Sequence, residues 1–288
     1  MQPLIDADIL VYEAAFAAQF KDEETGEYVA KPFDDAAEIF DERVRIICDS
    51  VWATERPLLF LTGNRSLLTI QNRWNKTHGI KPVDYLPNFR EAVGISRPYK
   101  ERRSQKPYHY RNLQAYCLAN YETVVAWGME ADDLLAVFQS RRLATLDTVI
   151  CSRDKDLRQV PGMQFSWEVG NQAGWGPTRV DETGTLNLVG GKKLVGTGWK
   201  FFYAQMVTGD PVDTIPGLPK AGPVLAFKTL ESCSTELEMY EAVKALYQEK
   251  IGEGWQDYMK EQANLLYMVR ELTDEGKPVL YKPPHLRG

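Results

Sequence analysis

Thr148–Val160 reads TVICSRDKDLRQV. A short apolar, β-branched run, Thr148 to Cys151, gives way at once to two acids spaced by two, Asp154 and Asp156. The run has the length and composition of a buried strand, and in an extended continuation both carboxylates point the same way. Standing alone, the pair reads equally well as a solvated loop with Lys155 and Arg158 as partners. It does not stand alone. Similar runs ending in Asp or Gly recur at Leu4-Ile5, Pro57–Thr62 and Thr123–Trp127. Between them Ala37, Phe40, Val44, Ile47 and Val51 repeat at helical spacing, and Asp133 to Leu143 has the same character. Alternation of this kind predicts a parallel sheet covered by helices, with residues just past the strands' carboxyl ends meeting in one crevice.

Acids occupy such positions repeatedly. LIDADILVYEAAF (4–16) places Asp6 directly after the first strand, with Asp8 two residues on. A DxD at that point is an N-cap followed by a first-turn acid, or the nucleophile and acid of a haloacid-dehalogenase-like phosphatase. GMEADDLLAVF (128–138) sets Glu130 and Asp133 three apart on one face of a helix, with Asp132 about 100° round. Acids there also complement the helix dipole. Gathered without cations, so many carboxylates would repel one another and their pKa values would rise. Oxygen donors without convergent His or Cys favour Mg²⁺ or Mn²⁺, so a divalent-metal phosphodiester hydrolase is the expected chemistry.

Two further stretches supply what a nucleic-acid strand would need. MVTGDPVDTIPGLPKAGPVLAF (206–227) punctuates two helical patterns with Gly209, Gly217 and Gly222. It predicts a helix–turn–helix whose turn offers backbone N–H groups to a phosphate, with Gly217, Lys220 and Gly222 as contacts. Carbonyls of that turn could hold a monovalent cation, K⁺. FREAVGISRPYKERRSQKPYHYR (89–111) interleaves Arg90, Arg102, Arg103 and Lys106 with Tyr99, Tyr108 and His109, groups that clamp phosphates and stack on unpaired bases. It lies within a stretch, Gly63 to about Asn112, that has no strong core stripe and reads as a long excursion from the sheet.

The bulk composition excludes little. A net charge of −6 opposes phosphate binding only if the acids are not themselves neutralised by metals. Cys48, Cys117, Cys151 and Cys233 form no CxxC pair, so neither a zinc site nor a disulfide framework is expected. No signal peptide or membrane span is expected either, which predicts a cytoplasmic protein, in the host cytoplasm if phage-encoded.

Taken in order, GMEADDLLA, SRDKDL and GDPVDTIPGLPKAGPVLA resemble the 5′ nuclease superfamily: flap endonucleases, the 5′-nuclease domains of bacterial DNA polymerases and, most of all, phage 5′→3′ exonucleases. The resemblance implies a PIN-like α/β fold, a parallel central sheet flanked by helices. A helical arch or clamp would be inserted at 63–112 within a catalytic core of 1–190, and a helical DNA-binding region of 191–288 would carry a helix–three-turn–helix at 199–231. It implies that Asp6, Glu130, Asp132 and Asp133 hold one metal and that Asp154, Asp156, Asp210 and Asp213 hold a second. Tyr99, Lys100 and Arg103 match a YKxxR segment whose Lys helps activate the scissile phosphate. In-line attack of water between two cations about 4 Å apart would follow. The substrates implied are DNA with free 5′ ends or 5′ flaps and the RNA of RNA–DNA hybrids, in phage replication or recombination. One departure stands out: where many members place a further Asp after the second strand, PLLFLTGNRS offers Thr62, Gly63 and Asn64, followed by an insertion, Arg65 to Leu86. A DNA-structure binding module with one decayed metal site is the non-enzymatic alternative.

Overall fold

A computed structural model describes residues 1–100, 105–145 and 147–287. Along the chain run β1 (Gln2–Asp6), α1 (Ala7–Ala17), β2 (Gln19–Lys21), β3 (Tyr28–Ala30), α2 (Phe33–Ser50), β4 (Leu58–Thr62), α3 (Arg65–Thr77), α4 (Phe89–Val93), α5 (Tyr110–Asn120) and β5 (Thr123–Ala126). They are followed by α6 (Ala131–Arg141), β6 (Thr148–Cys151), β7 (Gly162–Ser166), β8 (Trp175–Val180), β9 (Leu186–Val189), β10 (Lys193–Gly196), α7 (Gly198–Thr208), α8 (Pro223–Leu230), α9 (Glu236–Ile251) and α10 (Trp255–Leu266). The chain folds as two compact units, each assembled from several stretches. One compact unit comprises Met1–Asn88, Ser104–Arg153 and Met163–Thr178, and the other Phe89–Arg103, Asp154–Gly162 and Arg179–Gly288. The chain passes between them several times, which no composition boundary announces.

The first unit is built on a six-stranded sheet in the order β5-β4-β1-β6-β7-β8. The pairings β5·β4, β4·β1, β1·β6 and β6·β7 are all parallel, with Asp6 opposite Phe60 and Thr62 opposite Ala126. The expected parallel α/β sheet is therefore present, and the carboxyl ends of β1, β4 and β5 lie along one edge. Its strands are buried because their apolar residues face helices: Ile5, Leu59, Leu61, Val149 and Cys151 pack with Phe40, Val44 and Ile47 of α2. Phe40, entirely buried, contributes on the order of 2 to 3 kcal/mol by leaving water. The segment 162–180 forms the neighbouring strands β7 and β8, with β8 at the edge of the sheet.

The excursion after β4 is more ordered than its composition suggests. Asn64 caps α3, accepting the amides of Ser66 and Leu67, both at 3.0 Å. The helix is then held by asparagine side chains more than by apolar contact. Asn72 donates to the Val83 carbonyl at 2.9 Å and accepts the Val83 amide at 2.7 Å, while Asn75 donates to the Lys81 carbonyl at 3.1 Å. These bonds join the helix to the segment that returns along it.

The second unit packs α7 to α10 around Phe202, Tyr203, Met206, Val243, Tyr247 and Leu266. The last long helix stops at Leu266, where Tyr267 turns extended. Arg90 accounts for the stop. Its guanidinium is fully buried and donates to the carbonyls of Leu265 and Tyr267, each at 2.9 Å. Those acceptors are thereby satisfied outside any helical ladder. No helix among the described residues is long and apolar enough to cross a membrane.

Candidate functional site

In the first unit, Asp6 ends β1 and caps α1, accepting the Ile9 amide at 3.3 Å and the Ser152 hydroxyl at 2.7 Å. Burial pushes its carboxyl up, against the pull of the Ser152 bond. Asp8, in the first turn of α1, accepts the Thr62 amide at 2.9 Å through Oδ2. Its other oxygen, Oδ1, is buried with no hydrogen-bond partner among the described residues. Burial, and then repulsion from Asp6, raise the Asp8 carboxyl to about 7, with Lys106 acting in the opposite sense. Sequence reasoning kept Asp8 only for a cap or a phosphatase acid, and the DxD spacing was the signal that could have placed it here.

Thr62 connects this pair to the next acidic cluster. Its Oγ1 accepts the Ala131 amide at 2.9 Å, so the start of α6 is fastened to the carboxyl end of β4. Thr62 thus does a structural job at the point where an Asp was expected and missing. Glu130 is the α6 N-cap, and Asp133 accepts its amide at 3.2 Å in a capping box. Asp133 is completely buried and closes a capping box with its own helix. Glu130 and Asp132 are half-buried at the same helix end.

In the second unit, Asp154 Oδ1 accepts the Asp156 amide at 2.8 Å, closing the turn that follows β6. Asp156 Oδ1 accepts Gln205 at 2.6 Å and Lys155 at 2.9 Å. The Lys155 ammonium also pairs with the buried Asp210, whose Oδ1 accepts the Val212 amide at 2.9 Å. Burial opposes that ammonium's charge, but Asp156 and Asp210 outweigh it and hold its pKa up. A single cation therefore already neutralises two of the acids expected to bind metal. Asp213 accepts the Tyr99 hydroxyl at 3.1 Å, lies 3.7 Å from Lys100 Nζ, and its carbonyl accepts the Lys100 amide at 3.2 Å. Tyr99 and Lys100, matched by motif alone, are thus brought onto a residue over a hundred positions away. Arg102 and Arg103 lie outside the described residues.

Three expected nucleic-acid contacts need correction. Arg90 is buried on backbone carbonyls, with Phe89 and Tyr99 rings 4.6 and 5.9 Å from its guanidinium carbon, and presents nothing to a phosphate. His109, nominated for stacking, is buried, with Nε2 2.7 Å from the Lys31 carbonyl. Gly217 is buried too. Its amide donates to Gln262 at 3.0 Å and its carbonyl accepts the Tyr258 hydroxyl at 2.8 Å. It is glycine because φ is +63° and a Cβ would fall 2.2 Å from the Gly209 nitrogen. Lys220 is exposed, and Gly222 caps α8 without a side chain, leaving open space at the amides of its first turn. Lys106 is exposed, its Nζ 4.5 Å from the Tyr110 ring centroid and 5.5 Å from that of Tyr12.

Among the described residues no three Asp, Glu, His or Cys side chains close into a metal-binding group. The acids come together as pairs instead: Asp6 with Asp8, Glu130 with Asp133, Asp154 with Asp156, and Asp156 with Asp210 across Lys155.

The T5 D15 protein co-crystallised with metal ions superposes with a TM-score of 0.54 at 13% identity, covering 91% of this chain and 88% of that one. The chain carries the 5′ nuclease fold. T5 5′-exonuclease with divalent zinc ions bound gives a TM-score of 0.50 at 12% identity, over 93% of this chain and 100% of that one. DNA polymerase I of Rhizobium leguminosarum is 31% identical over 115 residues, 39% of this chain. This chain spans about a tenth of the length of that polymerase. No family model matches. The resemblance read from the motifs therefore agrees with the 5′ nuclease fold.

Proposed function

We propose that this chain is a divalent-metal 5′ nuclease that hydrolyses DNA phosphodiesters from a free 5′ end in the 5′→3′ direction. Cleavage of 5′ flaps and of RNA in RNA–DNA hybrids, and a role in phage DNA replication or recombination in the host cytoplasm, belong to the same reading. The observation that carries it is the Asp6–Asp8 pair at the carboxyl edge of the sheet, two acids with raised pKa values and one buried oxygen with no hydrogen-bond partner among the described residues. Such a pair is costly unless a cation joins it. The donors are all oxygen, which suits Mg²⁺ or Mn²⁺.

Asp6, Asp8, Glu130 and Asp132 would hold one ion. Asp154, Asp156, Asp210 and Asp213 would hold the second, where an ion has to displace the Lys155 ammonium. Bound cations supply Lewis-acid polarisation of the phosphoryl group and activation of water at neutral pH. The protein's own part is positioning and charge. Lys100, tethered through its amide to Asp213, neutralises charge developing on the phosphate, and Arg103 joins it. The α8 amino terminus and Lys220 seat the sugar–phosphate backbone, with K⁺ at the turn between α7 and α8. Tyr99 and Lys106 would each contact the strand, and Arg102, outside the described residues, is assigned the same role.

The test is a 5′-labelled duplex, a flap and a hybrid, each incubated with and without Mg²⁺. Metal-dependent release of short 5′ products is expected, lost in Asp154→Asn with DNA binding retained, and lowered at saturating substrate in Lys100→Ala. Cleavage unaffected by EDTA, or full activity in Asp154→Asn, overturns the reading. Hydrolysis of small phosphomonoesters with indifference to DNA would favour a phosphatase, and tight binding without cleavage in Mn²⁺ a binding module.

A further inference from the structure

From Arg56 to Val83 the sequence contains no Asp or Glu, in a chain whose acids outnumber its bases 40 to 34. Most of that window is α3 and the segment that returns along it. At about 100° per residue, Arg65, Lys76, Thr69 and Arg73 fall within roughly a quarter of the helix circumference. All four are exposed, while Leu67 and Asn75, on the other side, are buried. The Arg65 guanidinium carbon lies 5.2 Å from the centroid of the Tyr85 ring, which restrains it without quenching its charge. Lys81 is exposed, and its carbonyl is fixed to Asn75. Among the described residues, Arg65, Arg73, Lys76 and Lys81 have no carboxylate partner.

A solvated face ordinarily mixes signs, and α2 shows the ordinary case: Arg45 there pairs with both Glu42 and Asp49. The outer face of α3 differs. Its positive charges are mounted on a helix that Asn72 and Asn75 join to the returning segment, and none of them forms an ion pair among the described residues. The helix also begins at the carboxyl end of β4, on the sheet edge that carries Asp6. Cations spread over about 16 Å of helix from Arg65, at roughly 1.5 Å per residue, span more than one phosphate of a strand.

We propose that Arg65, Arg73, Lys76 and Lys81 form an anchoring surface for the sugar–phosphate backbone of the DNA substrate, supplied by the insertion that follows β4. The inference rests on the nuclease reading above. The surface adds affinity and salt dependence without sequence preference, because each phosphate contact releases condensed counterions.

The experiment compares the full chain with Arg65→Gln/Arg73→Gln/Lys76→Gln by fluorescence anisotropy, in EDTA to prevent cleavage, on a labelled duplex with a 5′ overhang and on a single strand. With KCl raised from about 50 to about 200 mM, the slope of log affinity against log salt should fall by about 0.9 per lost contact on duplex and about 0.7 on single strand. The larger loss identifies which form the face holds. A charge-matched control, Lys21→Gln/Lys192→Gln/Lys193→Gln, should bind as wild type does. Arg73→Gln alone, which removes no side-chain hydrogen bond or ion pair among the described residues, should lower the slope by a single contact and guards against misfolding of the triple variant. Unchanged slope and affinity in both variants, or an equal loss in the control, overturns the inference while leaving the nuclease reading intact. A wild type that neither binds nor cleaves DNA overturns both.

Discussion

Asp8 concentrates the chemistry of the first unit into one side chain. One of its oxygens accepts the Thr62 amide, the other has no partner among the described residues, and Asp6 lies close enough to raise its pKa. A carboxyl whose folded-state pKa exceeds its unfolded value of 3.8 holds its proton more tightly in the native protein. Its contribution to stability is complete below about pH 4 and is lost as pH rises towards 7. Asp8 is not sealed from solvent, so the loss should be about 2 kcal/mol, less than the full shift would give. Thermal melting of the metal-free protein should therefore show a midpoint that falls between pH 4 and 7. Asp8→Asn should flatten that fall, and millimolar Mg²⁺ should offset it in the wild type. A midpoint rising with pH over the same range would contradict the assignment. The acids at 130–133 and 154–156 could be read from spacing alone. Thr62, Ser152 and Lys155 could not, because their roles arise from partners distant in sequence or from burial that no local pattern records.

Among the elements, the strands were the most legible. The runs at Leu4-Ile5, Leu58–Thr62 and Thr148–Cys151 are apolar, short and closed by Asp, Ser or Gly, so strand and crevice position could be inferred together. Helix α3 shows no strong core stripe because only its Leu67 and Asn75 are fully buried, while Asn72 and Asn75 join it to residues 81–83. Asn72→Ala removes both bonds to the Val83 backbone and should cost about 1 to 2 kcal/mol, read as a lower urea midpoint. The turn between α7 and α8 depends on its glycines far more strictly. Gly217→Ala combines a left-handed backbone with a 2.2 Å overlap on Gly209 and should cost more than about 2 kcal/mol. Wild-type stability in that variant would mean the turn is packed otherwise. Helix α10 ends at Leu266, where Arg90, 175 residues upstream of Leu265, takes the carbonyls of Leu265 and Tyr267.

For the molecule as a whole, fold class and chain order of the motifs were readable, and the partition into units was not. Linear sequence invites a single cut, whereas the second unit draws Phe89–Arg103 and Asp154–Gly162 out of the first half of the chain. Arg90 meets its carbonyl acceptors, and Ile95 and Ser96 meet Glu261, only through that exchange. Expressing residues 1–190 alone would strand a guanidinium that the intact protein keeps wholly out of water. Such a fragment should be poorly soluble and lack a cooperative melting transition; a sharp transition from it would contradict the interleaving. A gene encoding this architecture therefore cannot shed its carboxyl-terminal half and retain a working remainder, nor trade that half for another by simple fusion. Recombination can move the two bodies only as one heritable block.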